Sequence, residues 1–448
     1  MACLFAHLTG KGSRSFVVIF GLFSQSCALL DSEERTLSAG KIPGRIFETT
    51  LDDENLNAQG ARIVYRFKSV PGLVFAKNYP SGGNFQLLRE SSALASAMNL
   101  ARKKEYNLHQ AAKEKNLNES GKGFEYLNSF QEARFDLAES ELLKVGIELA
   151  PVRVAIIDSG VVPVSQPLWS ALKWKTNLTH DLSYKNWQSH ATAIGSVFSG
   201  IENEEKLLEN NYAKNAHLHS IKISFNGDPE GTAREDFGAL QLAIALDNAV
   251  SAGAKIVNLS FTYREEIPEE IRLAERYIIA SAAEKGVVFV AAAGNAGENL
   301  DKKGVYPPRY DLDNLIVIGS HSTNGEKASS SSFGNSVHLT APGASLILSS
   351  KNGGNAYFSG TSFATPIVAS ALSLYFGILP QSEYRTALSD LFANTESPAS
   401  CDCENFPSSR YGKLNTQKVL RAAIKRRGIE LQLPLHRQSN PMESKVSE

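Results

Sequence analysis

A chain of 448 residues with 42% hydrophobic content can bury a large core, and its length predicts one large domain with something smaller beside it. A formal net charge of −1 at pH 7 removes any electrostatic case for nucleic acid as a partner. At the amino terminus, Lys11 and Arg14 precede an apolar run from Phe16 to Phe23. That run is too short to span a bilayer and suits the core of a signal peptide, so residues 1–28 are expected to direct export and be removed. Ser26-Cys27-Ala28 offers a small-residue cleavage site. The alternative is cleavage before Cys27 and lipid attachment to its thiol, which would anchor the protein to a membrane of the cell envelope rather than release it.

Residues 29–145 read as a separate α+β region. Arg62 to Phe67 has strand character, and Ser92 to Glu114 and Asn128 to Val145 read as charged amphipathic helices with a modest apolar face. From residue 146 the pattern changes. Apolar runs at 153–157, 218–223, 255–260, 287–293 and 314–318 alternate with helical stretches, clearest at Glu235 to Ala252, Glu269 to Lys285 and Phe363 to Phe376. Strand–helix alternation predicts a parallel twisted sheet flanked by helices on both faces, an α/β fold spanning 146–426. Residues 427–448 are polar, with Pro434 and Pro441, and read as a loose tail.

Four segments of this region carry chemistry. Val152 to Gly160 is an apolar strand that delivers Asp158 at its carboxyl end, the edge where open α/β sheets bind ligands. Ser189 to Val197 begins a small-residue helix with His190 in its first turn. Gly286 to Asn295 is an apolar strand ending in Gly294-Asn295. Phe358 to Pro366 places Ser362 at a glycine-marked turn into a helix, where unpaired backbone N–H groups and the macrodipole favour negative charge. Pro366 is read as lying in the first turn, where its missing N–H costs little. Each alone has an ordinary explanation: a turn Asp, a cap His, a Gly-Asn turn, a serine N-cap. Together they supply a hydroxyl, an imidazole to take its proton and a carboxylate to hold the imidazole tautomer, the needs of acyl transfer by serine.

In these blocks the sequence resembles the subtilisin-like serine proteases (subtilases, peptidase family S8). VAIIDSG, SHATAIGSV and SGTSFATPIVAS match the three triad blocks, in the family's order of Asp, His, Ser. The resemblance implies a serine endopeptidase with Asp158, His190 and Ser362 as catalytic triad and Asn295 as oxyanion donor beside the Ser362 backbone N–H. Loss of one such donor typically costs about 10²–10³-fold in turnover. It also implies that Ser260, Phe261 and Thr262 line one wall of the substrate cleft, and Ala292, Ala293 and Gly294 the other side of the primary specificity pocket. Substrates would be proteins or peptides, no cofactor is needed, and a monomer is expected. The family's amino-terminal inhibitor suggests that residues 29–145 are a pro-segment; a retained accessory domain is the alternative.

Some positions depart from the family. Ala191 and Ala193 stand where glycine and histidine are usual, and Thr262 replaces a glycine on the wall that pairs with extended substrate. These departures motivate the alternative of a catalytically silent peptide-binding protein of the same fold. No Asp- and Asn-rich loop of calcium-binding spacing lies between His190 and Ser220, so no metal site is carried over. No GxGxxG follows the first strand, which disfavours a dinucleotide-binding enzyme. Cys401 and Cys403 are either a strained local disulfide or free thiols.

Overall fold

The computed structural model describes residues 45–48, 62–71, 73–77, 86–87, 115–116, 129–178, 189–202, 208–209, 211–223, 240–263, 269–400 and 407–429. The signal-type segment 1–28, the helix expected over 92–114, all four cysteines (Cys3, Cys27, Cys401 and Cys403) and the tail from 430 lie outside them.

An 8-stranded sheet, parallel at every pairing, organises the chain. Its strands are β1 (Val152–Asp158), β2 (Leu172–Asn177), β3 (Ala216–Lys222), β4 (Ile256–Leu259), β5 (Val288–Ala292), β6 (Leu315–His321), β7 (Leu339–Pro342) and β8 (Gly412–Lys413). Their spatial order is β8-β7-β6-β5-β4-β1-β3-β2. The helices are α1 (Phe135–Val145), α2 (Ser189–Ser199), α3 (Gln241–Ser251), α4 (Glu269–Ser281), α5 (Thr361–Ile378), α6 (Tyr384–Ala393) and α7 (Thr416–Arg426), with one-turn segments at Ser129–Glu132 and Gln166–Ala171.

The runs of β-branched residues are buried on both faces, and strand periodicity divides them between two cores. Val154, Ile156, Val288, Val290, Ile316 and Ile318 face a core shared with α2, α5 and α7. Ala155, Ile157, Val257, Leu259, Phe289 and Ala291 face the opposite core, with α3 and α4. Helix α5 is apolar around its whole circumference, and every one of its residues is buried, as such a helix must be. The expected strands and the helices ending at 251 and 281 lie where the pattern placed them. The edge strand β2 gave no such signal because its residues Lys173, Trp174, Lys175 and Asn177 are exposed.

The helix expected over 128–145 is broken: Arg134 takes a left-handed φ of 61° between Ser129–Glu132 and α1. The break lets Phe130 and Phe135 stack at 5.5 Å and meet Tyr212 edge-on at 5.1 and 4.8 Å. In an unbroken helix, residues five apart face different ways. This pair of helices is knitted into the large domain. Thr416 N–H donates to Ala133 C=O at 3.0 Å. Buried Glu141 on α1 accepts from Arg421 Nε at 2.7 Å and Gln417 Nε2 at 2.6 Å on α7.

Ahead of them, strands 45–48, 62–66, 73–77 and 86–87 form a small antiparallel sheet. Phe67, Val70, Leu73 and Phe75 join the core of α3 and α4. Fully buried Asp247 on α3 accepts from Tyr65 Oη at 2.7 Å and Ser69 N–H at 2.5 Å. Lys285 Nζ donates to Ser69 C=O at 2.9 Å.

Phe135 is 2% exposed in a three-ring cluster, so Phe135→Ala is expected to cost about 3–5 kcal/mol of unfolding free energy. Urea denaturation measures this; a loss below roughly 1 kcal/mol would mean that the helix pair contributes little to the core.

Candidate active site

Asp158 ends β1, beside the point where successive strands change from one side of β1 (β3 and β2) to the other (β4 onward), the place where parallel sheets leave a crevice at their carboxyl edge. Its carboxylate is completely buried and must therefore be matched by donors. Ser159 supplies two, its N–H at 2.6 Å and its hydroxyl at 3.0 Å, both to Oδ1. His190 supplies the third: Nδ1 lies 3.0 Å from each carboxylate oxygen. A carboxylate in this setting only accepts, so Nδ1 carries the proton and Nε2 is left as the base.

Burial, the largest single influence on His190, pulls its pKa down; the charge of Asp158 and the hydrogen bond to it together outweigh that, leaving the imidazole above its ordinary 6.5. The ring is held by α2, whose start is pinned by Ser189 Oγ at 3.1 Å from Ser350 Oγ. Ala191 and Ala193, the departures beside it, are both fully buried, so these small side chains serve packing and leave the imidazole position intact.

Ser362 is the second residue of α5 and is 6% exposed. The ring of its neighbour Phe363 lies 5.4 Å from the His190 imidazole, which brings the serine's turn against the histidine. Gly360, before the helix, has φ 148°, and a Cβ there would meet Asn295 Nδ2 at 3.1 Å. Gly343 is more tightly placed still, since a Cβ would lie 2.6 Å from Ser320 Cβ and 2.8 Å from Gly360 O. Gly360 N–H donates to Gly343 C=O at 2.7 Å, so the turn rests on this close approach.

Asn295 is oriented by Thr361. Thr361 N–H, which can only donate, lies 2.8 Å from Oδ1, and the Thr361 hydroxyl adds a second bond at 3.1 Å. The amide oxygen is thereby committed to Thr361, which fixes the orientation of the side chain. Gly294 N–H donates to the same Thr361 hydroxyl at 3.2 Å. Thr361 thus ties the Gly294-Asn295 turn to the serine helix, a role that the sequence signals only as one letter of SGTS.

Pro366 is the sixth residue of α5, not a first-turn residue. Its missing N–H would have paired with the Ser362 carbonyl. That carbonyl instead accepts from Ser260 Oγ at 2.7 Å, which in turn accepts from Asn258 Nδ2 at 2.8 Å. Ser260 is 1% exposed, so its side chain supports the serine rather than facing a cleft. Phe261 and Thr262 are half-buried beyond it, and Thr262 Oγ1 would lie 3.4 Å from a Cβ on Gly294, so the two expected walls approach each other at this point. Ala292 and Ala293 are buried in the strand end behind Gly294. Of the nearby carboxylates, Asp301 is used up by the backbone N–H groups of Asn335 and Ser336 at 2.7 Å each, and Glu298 pairs with Lys303 at 3.4 Å.

A sequence model of the Subtilase family (peptidase S8) matches residues 150–413, more than half of the chain. The chain belongs to the subtilase family of serine-type endopeptidases. It is 27% identical over 253 residues to Subtilisin DY of Bacillus licheniformis, covering 56% of this chain and 86% of that protein. It is also 27% identical over 225 residues to Subtilisin E of Bacillus subtilis, where the match spans 50% of this chain and 55% of that protein. Among solved structures, the epidermin leader peptide processing serine protease (EpiP) of Staphylococcus aureus superposes with a TM-score of 0.59 at 18% identity. That superposition covers 85% of this chain and 97% of the other, a larger share than residues 150–413 alone supply.

Ser260→Ala removes the donor that replaces the proline's missing N–H and leaves a buried carbonyl unpaired. A loss of about 1–3 kcal/mol in unfolding free energy is expected. A urea midpoint unchanged from wild type would show that the Ser362 carbonyl finds another partner.

Proposed function

We propose that this chain is an exported serine endopeptidase in which Ser362 attacks the scissile carbonyl, His190 accepts and returns its proton, and Asp158 holds the imidazole. The observation that carries this reading is the pairing of a fully buried Asp158 with His190 Nδ1 at 3.0 Å, on the sheet edge where Ser362 opens a helix. Neutral His190 takes the Ser362 proton through Nε2 as the Oγ–C bond forms, and the resulting imidazolium is stabilised by the Asp158 carboxylate. The oxyanion sits between Asn295 Nδ2 and the Ser362 N–H. The imidazolium then protonates the leaving amine, and water repeats the sequence on the acyl-enzyme. Phe261, Thr262, Ala292, Ala293 and Gly294 form the proposed substrate walls, and no cofactor takes part.

Export, and the choice between release and a lipid anchor on Cys27, rest on the amino-terminal pattern of charge and hydropathy. The small antiparallel sheet that caps α3 and α4 through Asp247 supports the reading of the amino-terminal region as a docked pro-segment. The helices from Ser129 to Val145 are better assigned to the catalytic unit, because their rings and carboxylates are satisfied by it.

A serine-directed fluorophosphonate tests the mechanism. Labelling is expected at Ser362 and is expected to vanish in His190→Ala; processed protein that takes no label would instead be a silent peptide binder. The base acts in its neutral form, so the labelling rate climbs as pH rises through the His190 pKa. Because Asp158 raises that pKa, the half-rise lies above pH 6.5. Asp158→Asn leaves burial as the remaining influence, moving the half-rise to lower pH while the rate drops about 10⁴-fold. A rate flat across this range contradicts the assignment. Amino-terminal sequencing of the same processed sample is expected to place the first residue at or before Ser129; a fully active chain that starts near 146 would refute the retained helices.

A further inference from the structure

The segment that follows β4 is pinned at two places. Near its start, Ser260 is bonded to the Ser362 carbonyl. At its far end, Tyr263 forms a two-way backbone bridge with Tyr306, N–H to C=O at 2.8 and 3.0 Å, and the two rings stack at 5.6 Å. The Tyr263 hydroxyl reaches inward to Glu275 on α4. Glu275 is completely buried and also accepts from Tyr310 Oη at 2.5 Å, while the two tyrosine hydroxyls lie 2.6 Å apart. Three oxygens are thus in mutual contact. An ionised carboxylate leaves two protons for three contacts; a neutral carboxyl provides three, one for each. Burial pushes the Glu275 pKa up to about 7, against the opposing influence of the two tyrosine hydrogen bonds and Arg272, so the neutral form is accessible near neutral pH.

None of these groups belongs to the proposed triad or oxyanion site, yet the cluster ends the segment that contains Phe261 and Thr262. The Arg272 and Arg309 guanidinium groups lie 5.3 and 5.9 Å from the Tyr306 ring. A surface segment leaving a strand end would ordinarily be free to swing outward. Here its end is held by a buried carboxyl on another helix.

We propose that Glu275 is a positioning residue for extended substrates: through Tyr263 it holds the wall segment Phe261–Thr262 at a fixed distance from Gly294, so that an extended peptide meets a preformed wall. This rests on the reading that Phe261 and Thr262 line the cleft. On that reading an extended peptide lies along the segment, and a wall that is already ordered does not have to be ordered by the substrate. The catalytic groups are held by separate contacts, those of Asp158, Thr361 and Ser260. Loosening the far end should therefore weaken binding of long substrates and leave the chemical step alone.

The test compares a four-residue peptide coumarin amide with a single-residue ester, in processed enzyme whose active fraction is fixed by fluorophosphonate titration. Glu275→Ala is expected to raise KM for the four-residue substrate roughly 5- to 10-fold, with kcat and the KM of the ester within about twofold of wild type. Glu275→Gln, which keeps an acceptor oxygen and the volume, is expected to restore most of the difference. Should Glu275→Ala fail to fold, Tyr263→Phe, which removes one hydroxyl and creates no cavity, carries the same expectation. Equal loss on both substrates, or a fall in kcat alone, would overturn the proposal in favour of a general structural role. Thr262→Gly separates the two levels of inference. If it shifts KM for the four-residue substrate while the Glu275 and Tyr263 variants do not, the cleft wall stands and the positioning role falls. If none of the three variants moves that KM, the cleft reading falls and the positioning role with it.

Discussion

A carboxylate with no access to water has to be surrounded by donors, and the carboxyl edge of this sheet is arranged around that need. Asp158 is delivered by a strand packed on both faces, so its charge cannot escape to solvent. Ser159 satisfies one oxygen from the adjacent turn, and the remaining capacity draws in the imidazole of His190. The same contact sets the histidine tautomer and lifts its pKa against the pull of burial. One buried charge therefore accounts for the orientation, the protonation and the placement of the proposed base.

The serine side of the site is governed by a different constraint, the pairing of backbone groups. Proline inside α5 withdraws the donor that would have paired with the Ser362 carbonyl, and Ser260 supplies another from the neighbouring strand end. Two glycines allow the chain before the helix to pass within contact distance of the strand beside it. Thr361 then serves both the Gly294 N–H and the Asn295 carbonyl. These bonds are short-range and mutually dependent, so the serine turn and the Asn295 turn are held as a unit, with Ser260 bracing them from the end of β4. Rigidity of that kind suits the proposed role of Asn295, whose amide would have to face a charge that develops only during reaction.

Away from the edge, buried polar groups again mark where parts of the chain are joined. Asp247 receives the amino-terminal sheet, Glu141 receives α7, and Glu275 receives Tyr263 from the segment after β4. Each is a buried carboxyl matched by hydroxyl, amide or guanidinium donors from outside its own helix. Such groups add specificity to an interface whose apolar area would tolerate small slips.

The strand–helix alternation, a parallel sheet covered on both faces and the order Asp158, His190, Asn295, Ser362 were legible in the sequence, because periodicity and short motifs are local properties of a chain. The edge strand Leu172–Asn177 was not, since an exposed strand of Lys, Trp and Asn carries no apolar alternation. Nor was the break at Arg134, whose benefit lies in a ring on Tyr212, far along the chain. Ser260 illustrates the boundary. Its place at a strand end was readable, but the direction of its hydroxyl depends on Pro366, 106 residues later, and on the fold that brings the two together. Residue types and their spacing determined which groups are present and in what order; the packing of parallel strands and the need to pair every buried donor and acceptor decided which of them face one another.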